Sequence, residues 1–265
     1  SYRDVISLAT QFTEDILKKH PVLLYRLAGA YVMTGDLETA LDGFDQAVAH
    51  LDEVGDNAIL SKVLIGRAEP LQLLGAVTSA TADLKRAISL AGDLLTRVRA
   101  QRLLAHCMIA SNDLDKAEEL LTQTLSDVGT ANIDYQKAMV HTDSSMLYHL
   151  SGRFDKAIEH AMISISLWKN LDDLGGYSLA LNNLGTAYHA QGYLELAKYL
   201  LLESHSLAES SGVWRYRELS LLSLADVYAD QGDLVGACSA YEVCVRSLRE
   251  QQSHSLTVYG ITMWA

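Results

Sequence analysis

The sequence predicts an all-α fold, a right-handed superhelical solenoid of antiparallel helix pairs, and three observations carry that expectation. One unit recurs at a fixed step: Gly152, Gly192 and Gly232 stand 40 residues apart, each followed five residues later by an alanine, Ala157, Ala197 and Ala237. Within the clearest unit, residues 177–202, Leu181, Leu184, Gly185 and Tyr188 fall at offsets of 0, 3, 4 and 7, one face of a helix. Composition agrees, since 49% hydrophobic residues with only 2 Pro and 3 Phe favour helices over strands.

Residues 1–20 carry Val5, Ile6, Ala9, Phe12 and Ile16, an amphipathic pattern ended by His20-Pro21. They are read as the second helix of an earlier repeat, capping the array. Residues 21–253 hold six hairpins. The first has Leu24, Leu27, Ala28 and Tyr31, then Gly35-Asp36, then Ala40, Phe44 and Ala47, with Pro21 suited to a first helical position. The second has Leu64, Ala68, Leu71, Gly75, Ala80, Leu84 and Ala87, but Pro70 removes a backbone donor within its first helix and is expected to kink or break it.

The third hairpin shows Ala105, Met108, Asn112-Asp113, Ala117 and Leu121, and the fourth Ser145, Tyr148, Gly152, Ala157 and Ala161. Residues 177–202 form the fifth, and Leu221, Leu224, Ala225, Tyr228, Gly232, Ala237 and Tyr241 mark the sixth. Gly55, Gly92, Gly129 and Gly212 are placed to end second helices in left-handed conformation. Residues 254–265 return to the register of a first helix, Ile261 matching Leu221, so the chain reads as a piece of a longer protein cut inside a seventh repeat.

This spacing of Leu, Leu-Gly, Tyr, a Gly turn and Ala resembles the tetratricopeptide repeat, in which one hairpin cannot bury its apolar face alone and neighbours must stack. The 40-residue unit and the LNNLG string at Leu181–Gly185 resemble kinesin-light-chain-like repeats and the sensor region of the large ATP-dependent LuxR-type, maltose-regulator-like transcription regulators of bacteria. The resemblance implies a tetratricopeptide-like α–α superhelix that binds rather than catalyses.

Charge narrows the partners. Lys plus Arg number 21 and Asp plus Glu 33, giving a net −12, which argues against nucleic-acid binding spread over the molecule. No membrane contact and no cofactor are expected: there is no long apolar run, phosphate-binding loop, HExxH, GxSxG or GxGxxG. Cys107, Cys238 and Cys244 read as reduced thiols of a cytoplasmic protein. The nine histidines show no metal-ligand spacing backed by acids; His141 and His149 stand eight apart.

In tetratricopeptide arrays the stripe beside the core on each first helix lines the concave groove, and in the fifth hairpin that stripe is assigned to Leu179, Asn182, Thr186 and His189. Equivalent positions supply Met139, Thr142, Met146 and His149 in the fourth hairpin, Leu222 and Asp226 in the sixth, and Arg99, Arg102, His106 and Ile109 in the third. Arg99, Arg102 and His106, at offsets 0, 3 and 7 with Lys62 one repeat away, are read as an exposed cluster for a carboxylate or phosphate. The resemblance implies that Asn182 and Asn183 bind the backbone of a peptide, with Asn183 off the stripe.

Arg99, Arg102, His106, Thr142, His149, Asn182, Asn183, His189 and Asp226 are thus the candidate binding residues, with no catalytic or metal-binding residue among them. The expected partner is a protein or peptide segment, with an anionic group as complement to the arginines. The alternative is a small effector, sensed by a regulatory segment of a bacterial signalling ATPase or LuxR-type regulator.

Overall fold

A computed structural model describes residues 2–9, 12, 20–129 and 131–250. Ile16 of the N-terminal pattern, and the seventh-repeat helix expected at residues 254–265, lie outside the described residues. Among them the chain forms thirteen α-helices and no strand. They are α1 (Tyr2–Ala9), α2 (Pro21–Thr34), α3 (Leu37–Val54), α4 (Asn57–Leu73), α5 (Val77–Leu90), α6 (Leu94–Ala110), α7 (Leu114–Val128), α8 (Asp134–Leu150), α9 (Phe154–Asn170), α10 (Leu174–Ala190), α11 (Leu194–Ser211), α12 (Trp214–Asp230) and α13 (Leu234–Glu250).

The chain divides into two compact units, residues 1–124 and 125–265, the division falling within α7. In the first, α2 packs on α3, α3 on α4, α4 on α5 and α5 on α6. The second runs likewise from α8 to α13. First helices also pack on first helices, α2 on α4 and α4 on α6 in one unit, α8 on α10 and α10 on α12 in the other. That lateral contact brings together side chains 40 residues apart in sequence.

The turn inside each hairpin needs a positive φ. Gly152, Gly192 and Gly232 supply it at 71°, 83° and 80°, and in the third hairpin Asn112 takes the same role at 58°, a conformation asparagine tolerates better than most residues. Gly55 and Gly212 end second helices in the left-handed region as expected, whereas α5 ends at Ala91 in extended conformation and Gly92 is not left-handed. Aspartates the sequence reading passed over cap first helices: Asp56 accepts from Ile59 N, Asp93 from Thr96 N and Asp173 from Gly176 N.

Pro70 does not break its helix, correcting the expectation above. Helix α4 continues through it to Leu73, and Pro70 is buried. Four residues earlier, where the proline ring crowds the backbone, stands Gly66. A Cβ there would meet Tyr25 Cε2 at 2.9 Å and Phe44 Cε1 at 3.0 Å, so this turn of α4 lies hard against the first hairpin. Since Pro70 sits near the helix end, stacking on both sides outweighs one lost hydrogen bond, and Leu74 N still donates to Pro70 O at 3.1 Å.

The cores are leucine and alanine. In the first unit Leu24, Phe44, Leu51, Leu60, Leu64, Leu84 and Leu104 belong to one cluster. In the second, Trp168 packs with Ala138 and Ala180, and Tyr148, Tyr188 and Tyr228 recur at one column. No helix among the described residues is long and apolar enough to cross a membrane.

Candidate functional site

Which face of a first helix meets its own partner helix is indicated by a repeated bond from a small side chain, hydroxyl or thiol, to a backbone carbonyl. Ser164 Oγ on α9 donates to Ala138 O at 3.0 Å; one repeat on, Ser204 Oγ on α11 donates to Ser178 O at 2.8 Å; in the last hairpin Cys244 Sγ donates to Glu218 O at 3.6 Å. Ala138, Ser178 and Glu218, which carry those carbonyls, are all buried and lie on the inward side. A Cβ on Gly185 would meet Leu201 of α11 at 2.8 Å, which puts Gly185 on the same side. Asn182, four residues after Ser178 and three before Gly185, shares that line.

Two members of the assigned stripe, Thr142 and Asn182, are buried, while Thr186, His149 and His189 are half-buried. Thr142, the equivalent of Asn182 one repeat earlier, is 2% exposed and committed within its hairpin. Its hydroxyl donates to Ala138 O at 2.9 Å, lies 2.6 Å from Ser164 Oγ, and accepts from Trp168 Nε1 at 3.2 Å. Asn182 is buried too, its side-chain carbonyl oxygen lacking a hydrogen-bond partner. Asn183, read as off the stripe, is the residue that reaches the neighbouring first helix: its Nδ2 donates to Thr142 O at 3.0 Å, joining α10 to α8. Asn183→Ala should remove that bond and leave a buried carbonyl with one partner fewer, costing about 1–3 kcal/mol in urea unfolding. An unchanged midpoint would show that the bond contributes nothing.

A polar row does run across the ends of the three first helices. His149 on α8, His189 on α10 and Asp230 on α12 follow one another, with His189 Nε2 2.7 Å from Asp230 Oδ2. His149 stacks against Phe154 with ring centroids 5.7 Å apart, and its Nδ1 is buried without a hydrogen-bond partner. Burial, with the neighbouring charge of His189 adding to it, pushes His149 below the usual imidazole range, so it is neutral at pH 7. One turn back, Thr186 Oγ1 donates to Asn183 O at 3.0 Å, and Asp226 accepts from the Tyr241 hydroxyl. Asp230, in no sequence-derived set, is the most open member, its side chain 65% exposed.

Arg99, Arg102 and His106 lie on α6, in the other unit. Arg99 is exposed and His106 half-buried, but Arg102 is only 7% exposed, so its reading as a surface charge is corrected. Lys62 is exposed and its charge acts on the capping carboxylate of Asp93.

Two polar pairs escaped the sequence reading. Arg67 on α4 donates to both carboxylate oxygens of Asp83 on α5 at 2.7 Å and to Asp45 on α3 at 2.5 Å. His141 on α8 and His160 on α9, 19 residues apart, meet with Nδ1 atoms 3.1 Å apart. The signal was available in the register, since Arg67 falls in the column of Leu184, and His141 in that of Leu181. No group of three or more His, Cys, Asp or Glu is placed to hold a metal among the described residues.

Antiparallel helix pairs whose first helices also stack on one another define a helical-repeat protein. Within residues 136–210 and 219–242 that repeat is the tetratricopeptide repeat, since models of that family match there. No curated protein matches the sequence. Among solved structures, the chain is similar to the apo form of the quorum sensor NprR from B. thuringiensis, at 14% identity and TM-score 0.67, covering 99% of this chain and 82% of that one. It is also similar to kinesin light chain repeats from Podosopora anserina, at 19% identity, TM-score 0.57, and 72% and 98% coverage. A third is a signal transduction ATPase with a tetratricopeptide repeat sensor from Pyrococcus horikoshii, at 16% identity and TM-score 0.66, where 94% of this chain matches 41% of that one.

Proposed function

We propose that the chain is a non-catalytic scaffold that holds a segment of a partner protein against the first helices α8, α10 and α12. The observation that carries this reading is the row His149, His189, Asp230, one polar group from each of three successive first helices, ending in an exposed carboxylate. An extended segment laid across three parallel helices meets such a row at regular intervals, and Asp226 and Asp230 favour a segment that carries N–H donors or positive charge. Exposed Arg99 on α6 would serve an anionic group in its own unit. A regulatory segment that senses an effector is the second reading, supported by the fold likeness to the sensor-bearing ATPase, of which this chain spans 41%.

The test is to identify a partner by affinity capture with the longest available form of the protein, then to titrate it against His189→Ala, Asp230→Lys and a control, Arg246→Glu, at an exposed position of α13. Lys198 is a poorer control because its ammonium lies over the Tyr228 ring, 4.9 Å from the centroid. Each row variant should weaken binding by about 1–3 kcal/mol while remaining folded. Loss by the control alone, or none by the row variants, would place the partner elsewhere.

A further inference from the structure

In the hairpin of α8 and α9 two core columns change chemistry together. His141 stands where the next hairpin has Leu181, and His160 where it has Leu200. Those leucines are 3% and 8% exposed and share one apolar cluster. In their place two imidazoles face each other across the helix pair, ring centroids 5.1 Å apart and planes tilted by 43°, with the Nδ1 atoms 3.1 Å apart. The hairpin of α4 and α5 also has polar residues in such columns, Arg67 and Asp83, but there opposite charges satisfy each other. His141 and His160 cannot pair as opposite charges, and the carboxylate that acts on His160 is that of its chain neighbour Glu159. A single N–H···N bond is a modest return for two lost leucines.

We propose that His141 and His160 form a two-imidazole site for a first-row transition-metal ion of the Cu2+, Ni2+ or Zn2+ class, with solvent completing the coordination. The spacing is that of two ligands on one ion: with metal–nitrogen bonds of about 2.0–2.1 Å and an angle between about 90° and 109°, the nitrogens stand about 2.9–3.4 Å apart. Two antiparallel helices packed face to face hold them there. The ion takes one lone pair from each Nδ1, so the ring that carries its proton on Nδ1 transfers it to Nε2. Burial, with the second imidazole adding to it, pushes His141 down to about 4, and burial likewise lowers His160, so both rings are neutral at physiological pH and able to ligate. Around them, Tyr148 packs on His160 with centroids 5.1 Å apart, and the Lys156 ammonium lies over the Tyr148 ring at 5.0 Å.

Cu2+ is the probe of choice, since it stands highest in divalent affinity. The purified chain is titrated with Cu2+ near neutral pH by calorimetry and by electron paramagnetic resonance, alongside His141→Leu and His160→Leu. Both substitutions install the leucine that the next hairpin carries, so the variants should fold, as circular dichroism will verify. The expected result is a saturable site with two-nitrogen hyperfine structure in the native chain, lost in each variant, and a thermal midpoint that Cu2+ raises only in the native chain. The proposal is overturned if the native chain takes up no Cu2+, or if both variants keep the site, which would assign it to others of the nine histidines. More stable variants with no uptake by the native chain would identify the pair as a hydrogen bond only.

Discussion

Replacing Trp168 by alanine should cost about 3–5 kcal/mol, the range for deleting a fully buried aromatic side chain. Trp168 is 1% exposed and the largest of the fully buried side chains, enclosed by Ala138 and Ala180 with Tyr135 set edge-on at 5.0 Å. Its indole N–H is also the donor to Thr142 Oγ1, so truncation removes a buried hydrogen bond together with the packing. The neighbouring backbone is shaped around the ring. A Cβ on Gly176 would lie 2.3 Å from Trp168 Cδ2, and Gly176→Ala alone should therefore overpack the site at about 1–3 kcal/mol. In the double variant the new methyl group enters space the indole has left, so the two losses should fall short of additive. Urea unfolding of the two single variants and the double variant checks this. Strict additivity would mean that Gly176 and Trp168 do not share the space.

What the sequence disclosed follows from which physical signals repeat. Core columns such as Leu181, Leu184, Gly185 and Tyr188 are set by helical period and recur at a constant step, so they can be read without a structure, and so can the left-handed turns at Gly152, Gly192 and Gly232. The flanks of a helix are harder. Neighbouring residues differ by about 100° around the axis, so one position of error moves a side chain from the helix–helix contact to the open face. Asn182 and Asn183 differ by that one position; Asn182 is buried, and Asn183 spends its side-chain N–H on Thr142 O of α8.

Burial of Arg102 was illegible for a related reason, since periodicity identifies a face but not the neighbour that covers it. His141 and His160 were invisible to a search for metal-ligand spacing because they meet through the hairpin and not through sequence proximity. A column-by-column comparison of the repeats would have flagged them as two polar residues where Leu181 and Leu200 stand.

The same comparison isolates Arg67, and Arg67→Met should destabilise the first unit by about 3 kcal/mol, the lower end of the cost of stripping a buried carboxylate of its partner. Two parallel bonds of 2.7 Å bind the Arg67 guanidinium to Asp83, whose side chain is 10% exposed, and that pairing holds Arg67 above its usual pKa. Methionine fills similar volume but cannot donate, which leaves the Asp83 charge buried against apolar neighbours. Asp45 is a lesser matter, since its side chain is 64% exposed and water replaces the lost bond.

The lower end of the range applies because the Arg67 side chain itself keeps 19% of its exposure. The fifth hairpin supplies the control, for Leu184 and Leu200 occupy the columns of Arg67 and Asp83. Combining Arg67→Met with Asp83→Leu restores an apolar pair there and should recover most of the loss, because exchange of a buried ion pair for packed apolar side chains is often neutral or stabilising. Amide exchange along α4 and α5 locates the effect. A single variant as stable as the native chain, or a double variant no better than the single, would show that Asp83 reaches water and that the pair is not what joins these helices.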